Sequence, residues 1–144
     1  MIETFKHNSK VKIAIFSPDG RYILTAYNTV KLWDEKGNLV DSLAHKYPVT
    51  SVVFSPQGQQ ILTASVDHSA KLWNLKGELL ANYGKHELKV NAAFFSPNGK
   101  QIITASDDGY AMIWRSPEAM YEWVKTAPVY RLSKKEEELY EIVK

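Results

Sequence analysis

Apolar runs of four to seven residues, divided by turn-forming clusters, recur at regular intervals over the first 115 residues. Residues 11–17, 49–55 and 90–96 are such runs, and each ends at a Ser-Pro-x-Gly turn. Proline there sets φ and glycine accepts a positive φ, which suits a hairpin. Residues 22–27, 60–65 and 101–106 follow, rich in isoleucine and threonine, and lead through a turn to residues 30–33, 70–73 and 111–114. Lys36-Gly37-Asn38 and Lys76-Gly77-Glu78 then turn into residues 39–43 and 79–83. Short strands with regular turn signals predict an all-β array.

Three copies of one phrase make up this pattern: Phe16 to Trp33, Phe54 to Trp73 and Phe95 to Trp114. The Phe residues lie 38 and 41 apart and the Trp residues 40 and 41 apart. Between the second and third copies, 12 of 20 aligned positions are identical, far beyond chance. His7, His45 and His86 each stand nine residues before their Phe. Period, His-to-Phe spacing, Ser-Pro-x-Gly turn and terminal Trp together resemble the WD40 repeat family over residues 1–115. The resemblance implies three four-stranded blades of a partial β-propeller, at residues 2–43, 44–83 and 84–115. Two departures stand out. The family's Gly-His is Lys6-His7, Ala44-His45 and Lys85-His86, and its closing Trp-Asp survives only at Trp33-Asp34.

Propellers typically have 4–8 blades, so three leave two open edges. Residues 2–6 precede His7 as residues 39–43 precede His45, so the chain starts with an outer strand. The third copy lacks one, because a different sequence begins after Trp114. One expectation is a homo-oligomer, in which the first strand of one copy completes the last blade of another. Two copies then close six blades, the preferred state, and three close nine. The other expectation is that the chain is the C-terminal piece of a longer propeller protein.

Residues 116–144 read as a helical tail. Ser116 caps a helix, Pro117 fits its first position and Glu118 complements its dipole. Met120, Trp123 and Val124 form an apolar stripe, and Pro128 ends the helix. Ser133 to Glu136 is a capping box for a second helix carrying Leu139, Ile142 and Val143. Both stripes are expected to pack on the last blade or cover its edge.

His, Thr and Asp recur together with Trp: His45, Thr63, Asp67 and Trp73, then His86, Thr104, Asp108 and Trp114. A hydrolase triad is one reading. The WD40 resemblance implies another, a structural tetrad in which Asp accepts from His, His contacts Thr, and the Thr hydroxyl meets the Trp N–H. That reading is preferred, since a catalytic triad has no reason to recur once per blade and buried polar groups need partners. No catalytic residue is therefore assigned. The first copy keeps His7, Thr25 and Trp33, but its turn at residues 27–29 is two residues shorter and lacks the Asp. Either that blade is the least well fastened or Asn28 replaces the Asp. The four His residues do not cluster as metal ligands would, and the glycines serve turns rather than a phosphate cradle. No metal or cofactor is expected.

In the implied propeller the His-bearing loops share one face with the loops between second and third strands. That face carries Lys6, Lys10, Lys46, Lys85 and Lys89 with Tyr27, Tyr47 and Tyr110. Glu87 and Asp107 offset part of its charge. Lysine and tyrosine on a rigid face suit an acidic segment of a protein partner. Nucleic acid would call for arginine, and this face has none; only Arg21, Arg115 and Arg131 occur.

Net charge is only +2, and there is no cysteine for a disulfide or thiolate site. No apolar run is long enough to span a bilayer or serve as a signal peptide, so a cytoplasmic protein without membrane association is expected. The preferred reading is a non-catalytic WD40 unit serving as a protein-interaction or assembly scaffold. The alternative is a sensor or regulatory segment of a larger signalling protein with an NTPase or protease fused upstream.

Overall fold

The computed structural model describes residues 4–126. Three antiparallel sheets follow one another along the chain. The first holds β1 (Ile13–Phe16), β2 (Tyr22–Ala26), β3 (Val30–Asp34) and β4 (Leu39–Leu43). The second holds β5 (Val49–Phe54), β6 (Gln60–Ser65), β7 (Ala70–Asn74) and β8 (Leu79–Tyr83). The third has β9 (Val90–Phe95), β10 (Gln101–Ser106) and β11 (Ala111–Arg115), followed by α1 (Pro117–Thr126). Each sheet is a meander in chain order, one propeller blade. The all-β reading holds, and the third blade has three strands among the described residues, as the lack of an outer strand after Trp114 leads one to expect.

Local chemistry builds each turn. In Ser-Pro-x-Gly the serine closes the hairpin. Ser17, Ser55 and Ser96 accept the backbone N–H of Tyr22, Gln60 and Gln101 at 2.9, 3.1 and 2.9 Å. The turn after the terminal Trp is built by its neighbour. Asp34 Oδ1 accepts the N–H groups of Lys36 and Asn38, and Asn74 Oδ1 those of Lys76 and Glu78. Arg115, at the matching place, has no acceptor to offer. There the chain leaves the strand and starts α1, with Ser116 Oγ accepting the Ala119 N–H at 3.3 Å.

The core lies between blades rather than within them. Leu24, Ala26, Val30 and Leu32 on one face of the first blade meet Val49, Val52, Ile61 and Trp73 of the second. Leu62, Ala64, Ala70 and Leu72 on the second blade meet Val90, Ala93 and Ile102 of the third in the same way. Each fully buried Leu or Ile contributes roughly 1.5–3 kcal/mol, so these two seams hold the arc together. Backbone bonds reinforce them: the Val49 N–H donates to the Tyr27 carbonyl at 2.7 Å, and the Thr50 hydroxyl to the Val90 carbonyl.

The outer strand expected near residues 2–6 is one that pairs with another copy; within one chain Thr4 and Phe5 form no strand. Phe5 sets its ring edge-on to Trp33, 5.4 Å between centroids. One expectation about the tail is corrected: the stripe of Met120, Trp123 and Val124 stays exposed. The opposite side of α1 faces the blades, held by a hydrogen bond from the Gln60 amide to Glu118. Pro128 and the helix expected from Ser133 lie outside the described residues.

Candidate functional site

Each complete network joins two strands and two loops. In the second blade, Thr63 on β6 and Trp73 on β7 are neighbours in the sheet, and the indole N–H donates to Thr63 Oγ1 at 2.9 Å. His45, in the loop before β5, places Nε2 2.6 Å from the same oxygen and Nδ1 2.8 Å from Asp67 Oδ2. Burial pushes the His45 pKa below its ordinary value, against the pull of Asp67, so the ring is neutral at pH 7. Nδ1–H therefore donates to the carboxylate, and Nε2 accepts the Thr63 hydroxyl proton. Burial opposes the charge on Asp67, but hydrogen bonds from Ser69 and His45 outweigh it and hold the carboxyl at about 2.

The third blade repeats this arrangement. His86 Nδ1 lies 2.7 Å from Asp108 and Nε2 2.7 Å from Thr104, while Trp114 donates to Thr104 at 2.9 Å. The first blade does not. Trp33 donates to Thr25 at 2.8 Å, and His7 stands edge-on to Trp33 as His45 does to Trp73, 5.5 against 6.1 Å between centroids, but it does not bond Thr25. Its Nε2 has no partner among the described residues. Burial and the nearby Lys31 ammonium push its pKa down. Asn28 does not take the missing Asp's place: it is exposed and makes no side-chain bond to His7 among the described residues.

The Asp of each complete network also ties two loops together. Asp67 accepts the backbone N–H of Lys46 at 3.3 Å, and Asp108 that of Glu87 at 3.1 Å. The His loop and the loop after β6 or β10 are thereby locked on one face. Lys6, Lys10, Lys46, Lys85, Lys89, Tyr47 and Tyr110 are exposed there. Lys46 reaches over the Tyr47 ring at 5.6 Å. Lys89 is half committed, with Asp107 3.3 Å away. Tyr27 is partly buried beneath Lys12, whose ammonium sits 4.6 Å from the ring centre. Lys12, Tyr27, Pro48, Val49, Thr50 and Val66 line an open hollow of about 450 Å³ at the seam between the first two blades.

Lys12 and Lys71 belong to this region and were not singled out by spacing. Lys71 lies 3.7 Å from Asp67 and donates to the Ala44 carbonyl at 3.3 Å. Its place four residues after Asp67 is the only signal for it. Among the described residues, no three His, Asp or Glu side chains converge as metal ligands would. No described helix is long and apolar enough to cross a membrane.

Successive antiparallel meanders, seamed face to face and in two of the three fastened by His–Thr–Trp–Asp networks, define a β-propeller arc. The chain belongs to the WD40 family, described as WD domain, G-beta repeat, whose pattern matches residues 1–34, 37–74 and 77–115. The second and third matched units start at the turn before the outer strand of one blade and end in the third strand of the next. No curated protein matches the chain. Repeats of this family are generally protein-interaction scaffolds and are typically non-catalytic.

Proposed function

We propose that this protein is a non-catalytic interaction scaffold whose lysine- and tyrosine-bearing loop face receives an acidic segment of a protein partner. The observation that carries this reading is the double use of Asp67. It fixes His45 at 2.8 Å and, through the Lys46 N–H, sets the loop that presents Lys46 and Tyr47. A face fixed in advance binds with less ordering cost than a floppy one. Lysine charge on its rim steers an acidic partner, and exposed tyrosine supplies contact area. The recurring His, Thr and Asp are consumed by one another and by Trp, which supports structure over turnover.

Binding of a fluorescein-labelled, Glu-rich peptide, followed by anisotropy at two salt concentrations, tests the reading. Lys46→Glu with Lys85→Glu is expected to weaken binding at least tenfold, and added salt to weaken the wild type. Undiminished binding to the reversed face sinks the proposal. Tighter binding of a single-stranded oligonucleotide of equal charge, with a steep salt slope, moves the face to nucleic acid instead.

A further inference from the structure

The same face of every blade carries the same kind of side chains, but its surroundings differ. Leu32 in the first blade and Leu72 in the second are 0% exposed, whereas their counterpart Ile113 in the third is 66% exposed. Leu24 and Leu62 are likewise buried, while Ile103 and Phe94 are open. Ala105 and Ala111, counterparts of the fully covered Ala64 and Ala70, are exposed as well. The opposite face shows the reverse. Val49, Val52 and Ile61 are buried by the preceding blade, but Val11, Ala14 and Phe16 of the first blade are exposed, Phe16 at 71%.

One chain therefore carries both halves of an interface it already makes twice. Among the described residues the half on the third blade has no follower and the half on the first has no predecessor. The edge strand follows the same logic. Among the described residues β11 ends the third sheet without the outer neighbour that β4 gives β3 and β8 gives β7. The first matched repeat opens at residue 1, and residues 2–5, Ile-Glu-Thr-Phe, repeat the chemistry of residues 40–43, Val-Asp-Ser-Leu. Phe5 packs on Trp33 as Tyr83, at the end of an outer strand, packs on Trp114 at 5.3 Å.

We infer that the open face of the third blade seats the first blade of a second copy of this chain. Ile103, Ile113 and Phe94 then cover Val11, Ala14 and Phe16, and Phe5 comes to the edge of β11. The contact is head-to-tail, so it propagates until it closes. Two copies carry six blades, within the 4–8 usual for propellers. This inference goes beyond the binding reading above, since the loop face lies elsewhere on each blade.

Light scattering of the full chain at micromolar concentration tests it. A closed pair has twice the 16.4 kDa of one chain. Ile113→Lys and Phe16→Lys are each expected to give monomers. Both positions are solvent-exposed in the single chain, so circular dichroism is expected to stay unchanged. Mixing the two variants restores one intact seam, and a heterodimer is expected to form. A wild-type monomer overturns the inference, as does a dimer that Ile113→Lys leaves intact. Failure of the mixture to associate overturns the head-to-tail geometry. Peptide binding by the loop face reads out separately.

Discussion

His7 stands edge-on to Trp33, 5.5 Å between ring centroids, as His45 does to Trp73 at 6.1 Å, but only His45 bonds its threonine, Thr63, at 2.6 Å. The difference lies in the loop after the second strand. Asp67 draws His45 by its Nδ1, and the shorter turn at residues 27–29 has no such carboxylate. Without that pull His7 stays on Trp33, against which Phe5 and Lys31 also pack. The two blades should therefore answer differently to the same truncation. Thr63→Ala leaves both the Trp73 N–H and His45 Nε2 buried without a partner, costing about 1–3 kcal/mol for each group orphaned. Thr25→Ala orphans only the Trp33 N–H. Urea denaturation is expected to show the larger loss for Thr63→Ala; equal losses would mean that His45 adds nothing.

Acid should unfasten the second network in two stages. His45 is held below its ordinary pKa of 6.5 and Asp67 below 3.8, at about 2. Both groups bind fewer protons folded than unfolded, so each makes stability rise with pH. The His45 contribution is lost as pH falls below 6.5. The Asp67 contribution is present above about pH 4 and is lost toward pH 2. Urea midpoints measured between pH 7 and pH 3 are expected to fall throughout. Asp67→Asn should lower stability at pH 7 and flatten the curve below pH 4. A curve with the same acid limb in the variant would assign that limb to other carboxylates.

The repeat was legible because its chemistry recurs at fixed spacing. Strand order, hairpin turns and the residues of the networks in the second and third blades all follow from aligning the copies. Where the spacing breaks, the alignment could show that Asp was missing but not where His7 would go. That depends on Phe5 and Lys31, which only the fold brings to Trp33. The side α1 presents was also hidden. An apolar stripe at Met120, Trp123 and Val124 suggests burial, but the Gln60–Glu118 bond joins two residues 58 apart in sequence. The role of Asp34 was hidden for a related reason. It looks like part of a signature, and it works as a turn acceptor that Asn74 replaces and Arg115 cannot.

Gly77 marks where neighbouring blades come closest at their outer turns. Its φ is +77°, and a Cβ there would strike the Asp41 carboxylate of the preceding blade. Gly77→Ala meets both a left-handed backbone and a clash, so a loss of roughly 1–2 kcal/mol or more is expected. The clash is separable from the strain. Asp41→Ala should be nearly neutral by itself and recover part of the loss in the double variant. Thermal melts of the four proteins give the coupling, and strict additivity would show that Asp41 simply swings away.

His68 is the one non-glycine residue with a positive φ among the described residues, at 68°. It follows the network Asp67, and in the third repeat Gly109 holds the matching place at φ 86°. A side chain in the left-handed region costs roughly 1–2 kcal/mol, partly offset by the greater freedom glycine has in the unfolded chain. His68→Gly is therefore expected to stabilise by about 0.5–1 kcal/mol, and His68→Ala to give no gain. The imidazole is exposed and belongs to no network. Urea denaturation of the two variants checks this. A loss of stability on substitution by glycine would show that the His68 side chain makes a contact that outweighs its backbone strain.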